Sequence, residues 1–177
     1  MKNLLIGLLL FVSLTSSAIF DPKRDTFYIR GYGNVDNSDL TEALDIIKSE
    51  FGFICKILPP LEIDSKNIIQ NSTHILEVHQ TLKSLKVDSK TLYITEKELW
   101  TNRMYVRGYS FLNGNVLIVR GDKKILRETI IHEIGHIFGL DHCGDMSCIM
   151  AINNDDFDSG KFCNRCNNFL KFYPKIR

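Results

Sequence analysis

His132-Glu133-Ile134-Gly135-His136-Ile137-Phe138-Gly139-Leu140-Asp141-His142 is the stretch that decides how this chain is read. His132 and His136 are four residues apart, so on a helix they stand on one face and can hold one metal ion. Glu133 lies one step round that helix, where a carboxylate reaches water at the metal. Gly139 can adopt the left-handed conformation that ends a helix. The chain then turns back and brings His142 to the same ion. Three neutral imidazoles and an open fourth position form the shell of a catalytic zinc rather than a closed structural one. The His-Glu-x-x-His pattern also occurs in helices whose histidines are merely solvated or packed. Helix packing requires neither Gly139 nor His142, however, and three of the chain's five histidines fall in this segment.

The cysteines extend the motif. Cys143 follows His142 directly, and Cys148, Cys163 and Cys166 come after it. Their spacing suits four thiolates around a closed structural zinc. In an exported chain the same four could instead form disulfides, in any of three pairings. A redox role for the Cys163 and Cys166 pair lacks the preceding strand such motifs use. Cys55 is left over in an apolar stretch and reads as a buried free thiol.

The combined string HEIGHIFGLDHC, then Cys148-Ile149-Met150, then Cys163-Asn164-Arg165-Cys166, resembles the archaemetzincins, a family of zinc metallopeptidases in the metzincin clan. The likeness lies in residues 132–166. It implies a catalytic zinc on His132, His136 and His142, with Glu133 as general base and acid, and a second zinc on Cys143, Cys148, Cys163 and Cys166. It also implies that Met150 forms an apolar floor in a turn beneath the catalytic zinc. The expected fold is an α/β (α+β) domain: a mixed twisted sheet with packed helices, an active-site helix, and a small zinc-bound C-terminal region.

With 177 residues, 44% hydrophobic and 24% charged, the chain can bury one ordinary globular core. A net charge of +1 and the lack of a basic block speak against a nucleic-acid partner. Lys2, the apolar run of residues 4–12 and Ser16-Ser17-Ala18 form a secretory signal pattern. Residues 1–18 are therefore read as a signal peptide and 19–177 as one domain, secreted or periplasmic, without a stable membrane anchor and monomeric. The apolar run is too short to span a bilayer comfortably.

Along the chain, residues 26–30 read as a strand broken by Gly31 and Gly33. Asp39 is expected to cap a helix that Gly52 closes. Residues 53–58 form a strand stopped by Pro59-Pro60, and 61–72 a loop. Residues 73–86 read as a helix with Ile75, Val78, His79 and Leu82 on one stripe, and 91–95 as a third strand. Residues 104–112 and 115–120 are expected to pair as a hairpin across a type I′ Asn113-Gly114 turn. Asp122 is expected to cap the histidine-bearing helix. Residues 104–110 are the candidate edge on which a substrate strand pairs, and their Tyr105 and Tyr109 read as packing residues.

Asn71-Ser72-Thr73 is a glycosylation sequon. His74 and His79 are five apart and unsuited to share a metal. Asp155, Asp156 and Asp158 read as a solvated acidic loop, and Asp141 as an exposed loop residue. The activity these features imply is hydrolysis of peptide bonds in a peptide or protein substrate. Two rivals are a non-catalytic protein whose zinc shapes a peptide-binding groove, and a zinc hydrolase acting on a non-peptide bond.

Overall fold

The computed structural model describes residues 20–21, 24–69, 72, 74–85, 87–151 and 160–171. The expected signal peptide and the acidic run at 155–158 lie outside them, as do Asn71 and Thr73 of the sequon.

A five-stranded mixed sheet organises the domain, in the order β2 (Ile54–Leu61), β1 (Thr26–Tyr32), β4 (Thr91–Thr95), β8 (Val116–Arg120), β7 (Gly108–Ser110). The first four strands run parallel, and β7 returns antiparallel to β8. A smaller sheet joins β3 (Ile75–Glu77), β5 (Glu98–Trp100) and β6 (Tyr105–Val106). Every residue of β4 and the first four of β8 are buried. That fits strands covered on both faces, which carry apolar residues without alternation.

Helices α1 (Asn37–Phe51) and α3 (Leu126–Ile137) cover one face, where Phe27, Ile29, Leu92, Ile94, Leu117 and Val119 form the larger core. Helix α2 (Val78–Ser84) and the small sheet cover the other face, around Tyr32, Tyr93 and Ile118. A short helix α4 (Asn164–Lys171) carries Cys166. None of the helices among the described residues is long and apolar enough to cross a membrane.

Several expectations are corrected. β1 continues through Gly31 to Tyr32, and the turn comes at Gly33 with φ 88°. Asp36, not Asp39, caps α1 by accepting the Ser38 N–H at 2.8 Å. Asp39 is buried in the first turn, 3.8 Å from the Lys123 ammonium. β2 runs on through Pro59 and Pro60, because it is an edge strand and their missing N–H groups break no ladder.

Residues 75–77 are a strand rather than helix. Their partner is β5, and the Glu77 carboxylate caps α2 by accepting the Gln80 N–H at 2.6 Å. The hairpin is present, but its turn is not type I′: Asn113 has φ 57° while Gly114 is not left-handed, and Gly114 N–H donates to Phe111 O at 2.8 Å. Asp122 does not cap α3. It accepts the Lys124 N–H in the preceding turn, and Ile125 precedes the helix without a side-chain cap. Cys55 is only partly buried, though burial still pushes its thiol up to about 11.

Candidate active site

Helix α3 brings His132, Glu133 and His136 to the cleft, and its end is set by a Gly139 with φ 87°. Gly139 N–H donates to His136 O and Leu140 N–H to Gly135 O, both at 2.9 Å. This pair of bonds is the Schellman termination that a left-handed glycine permits. The reversal carries His142 back to the histidine pair, so the three rings face one another with centroids 4.7–5.4 Å apart.

The imidazoles are pre-oriented. His132 Nδ1–H donates to Ile149 O and His136 Nδ1–H to Leu140 O, each at 2.7 Å. Each bond fixes the tautomer and leaves the Nε2 lone pair to point at a common place. These two Nε2 atoms are 3.1 Å apart, and the three histidines' ligand atoms lie within 4.8 Å of one another. Two nitrogens of a tetrahedral zinc would be roughly 3.4 Å apart, given bonds near 2.0–2.1 Å, so the donor set fits such an ion. Burial brings His132 down to about 4 and lowers His136 as well, so both rings are neutral at pH 7, the form that binds metal.

Glu133 is 5% exposed. Its Oε2 accepts a hydrogen bond from the Ser110 hydroxyl at 2.6 Å. Burial pushes its carboxyl up to about 8, while the Ser110 bond pulls the other way. β7 crosses directly above. A Cβ on Gly108 would come within 2.7 Å of Thr129 Cγ2 and 2.8 Å of Glu133 Cγ, so only glycine allows this approach. The candidate edge at 104–110 is thus an edge of the main sheet only at Gly108–Ser110, since β6 belongs to the small sheet.

The cleft has a volume of about 530 Å³, and Met104, Tyr105 and Leu112 line it together with the three histidines. Pockets that enclose a small ligand run to roughly 300–1,000 Å³, so the space admits one or two substrate side chains. Tyr105 is 56% exposed at this wall and sits edge-on to Trp100, not buried as a packing residue. Tyr109 turns to the other face of the sheet and hydrogen-bonds His79 at 2.7 Å.

Met150 is fully buried beneath α3, its sulfur filling the space where a Cβ on Gly135 would stand. Asp141 is exposed, and its carboxylate accepts the backbone N–H of His142 at 2.7 Å.

The second cluster gathers Cys143, Cys148, Cys163 and Cys166, with sulfurs within 4.8 Å of one another. Cys143 and Cys163 Sγ are 3.8 Å apart, and all are free thiols. Sulfurs sharing a tetrahedral zinc stand roughly 3.8 Å apart, for bonds near 2.3 Å. The Cys166 N–H lowers the Cys163 thiol to about 7, whereas burial raises Cys148 and Cys166. The Cys163 thiolate forms readily while Cys148 and Cys166 resist ionisation, as in a donor set that a cation helps to ionise.

A model of peptidase family M54 matches residues 56–172, more than half of the chain. This chain belongs to the archaemetzincin family of zinc metallopeptidases. The archaemetzincin of Methanocaldococcus jannaschii is 27% identical over 154 residues, covering 71% of this chain and 83% of that protein. That of Haloquadratum walsbyi is 30% identical over 105 residues, covering 46% of this chain and 61% of that protein. The crystal structure of the Archaeoglobus fulgidus archaemetzincin superimposes with a TM-score of 0.71 at 24% identity, covering 81% of this chain and 99% of that one. The fold is therefore that of the archaemetzincins.

Reading the sequence alone finds every histidine and cysteine of the two clusters. It misses Gly108, Ser110 and Thr129, and the carbonyls of Leu140 and Ile149 that orient the rings. Only Gly108 carries a signal, as a glycine inside a strand marks a close backbone approach.

Proposed function

We propose that this chain hydrolyses peptide bonds at the three-histidine centre, with His132, His136 and His142 holding zinc and Glu133 acting as general base and then general acid. The observation that carries this reading is the convergence of two carbonyl-oriented imidazoles and His142 beside a buried carboxylate, against the edge strand β7. Zinc in such a shell supplies Lewis acidity, which acidifies water and polarises a carbonyl.

An extended peptide pairs with the free edge of β7, where backbone groups hold the scissile bond over the histidines. Glu133 accepts a proton from the attacking water and returns it to the leaving amine. The cation's charge favours the ionised form of Glu133 and offsets the effect of burial. Met150 closes the floor of the site. Cys143, Cys148, Cys163 and Cys166 hold a second, structural zinc.

The same proposal includes export of a monomer, with residues 1–18 removed as a signal peptide. Lys2, the apolar run at 4–12 and Ser16-Ser17-Ala18 support it. Mass spectrometry of the mature N-terminus from the native host tests that part.

The central test is metal content by elemental mass spectrometry, without chelator, alongside peptide hydrolysis. Two zincs per wild-type chain and one in His136→Ala are expected, with hydrolysis abolished in Glu133→Gln at unchanged zinc. Undiminished turnover in Glu133→Gln would sink the assignment of the base.

A further inference from the structure

We infer that Ser110 is a positioning residue that holds the Glu133 carboxylate in its working orientation and ties it to the substrate-binding edge of the sheet. Ser110 and Gly108 lie two apart on β7, so both face α3. At Gly108 the side chains of Thr129 and Glu133 fill the place of a Cβ, at 2.7 and 2.8 Å. From that fixed strand the Ser110 side chain, only 9% exposed, reaches Glu133 twice. Its Oγ lies 2.6 Å from the carboxylate Oε2 and 3.3 Å from the Glu133 carbonyl. A hydroxyl has one proton, and the shorter distance assigns it to the carboxylate.

Among the described residues, Ser110 is the hydrogen-bond donor to the Glu133 side chain. The consequence is an asymmetric carboxylate. Oε2 is engaged by Ser110, while Oε1 lies toward Gly108, 3.0 Å from where a Cβ would stand, at the wall of the cleft. One oxygen is held and the other is left to meet a proton. A glutamate has three rotatable bonds, and a base displaced by about 1 Å can lose on the order of 100-fold in rate. Because β7 also offers its free edge to a substrate strand, pairing there stiffens the backbone that carries the hydroxyl. Occupancy of the edge and alignment of the base are thereby joined through one side chain.

The inference rests on the reading of Glu133 as the base, and two measurements separate the two claims. In steady-state peptide hydrolysis, Ser110→Ala and Ser110→Cys are expected to lower kcat roughly 10- to 100-fold with KM changed little, and Ser110→Thr to restore most of kcat. An unchanged kcat in Ser110→Ala, or equal losses in Ser110→Thr and Ser110→Ala, would overturn it. The second measurement needs no activity. In the full-length protein as purified, urea unfolding of Ser110→Ala, Glu133→Ala and the double variant closes a cycle. Non-additive midpoints are expected, and additive ones overturn the contact. A wild type that folds and shows this coupling but cleaves no peptide refutes the peptidase reading and leaves the positioning contact standing.

Discussion

The three-histidine and four-cysteine clusters are adjacent in sequence, with His142 and Cys143 as neighbours, yet they are built to opposite designs. The histidines lie at a cleft, two half-buried and His142 exposed, and the carboxylate beside them is strapped to an edge strand. The cysteines sit against the core, three of the four buried, with Cys163 N–H donating to Cys148 Sγ at 3.3 Å. An open donor set leaves room for water and substrate, whereas a closed one uses all its donors on the ion. The two share structure. Ile149 gives its carbonyl to His132 and its N–H to Lys161 O, between Cys148 and Met150. The segment that carries Cys148 therefore also orients His132, so the two clusters are mechanically joined.

The largest effect that could break this contrast is chelation. A mild chelator is expected to abolish hydrolysis by removing the accessible ion, with far-UV circular dichroism unchanged. Simultaneous loss of activity and fold would show that the two centres are not separable. Next comes Cys148→Ser, which leaves a buried donor set incomplete. It should destabilise by about 3–5 kcal/mol, lowering Tm by roughly 10 °C, whereas His142→Ala should change Tm little while stopping turnover. Parallel thermal melts decide between these.

A smaller effect is expected from Gly135→Ala. The added methyl meets Met150 Sδ at 2.5 Å, so overpacking should cost about 1–3 kcal/mol, read by denaturant unfolding. A neutral result would mean that the floor beneath α3 yields easily.

The smallest concerns Lys90, whose ammonium donates to Gly114 O at 2.5 Å and Ile137 O at 3.0 Å, anchoring the end of α3. Burial lowers this lysine to about 8 from an ordinary 10.5. Below pH 8 the group is charged in both folded and unfolded chains, and folding bears the full cost of burying the charge. From pH 8 to 10.5 the unfolded chain binds more protons, so stability rises with pH. The wild type should therefore gain on Lys90→Met across that window in urea midpoints. A flat difference would place the amine in water.

Local pattern made much of this legible. The strands at 26–30, 91–95 and 116–120, the helix after the 30s and the histidine helix all announce themselves by periodicity and by Gly52 and Gly139. Two of the misreadings share one cause. Residues 75–77 look helical until β5 is there to pair with them, and Pro59-Pro60 looks like a stop until β2 proves to be an edge. In each case a partner distant in sequence overrides a local preference.

By itself the sequence determined which atoms could bind metal and which carboxylate stands beside them, because helix spacing and a glycine stop are local geometry. It also supplied the family likeness. Only the tertiary structure decided that Ser110, 23 positions before Glu133, holds its carboxylate. The same is true of the Ile149 and Leu140 carbonyls that aim the imidazoles, and of Gly108 where β7 meets α3. Backbone carbonyls carry no residue code, and a single hydroxyl gains meaning only when the sheet and helix pack and exclude the water that would otherwise take its place.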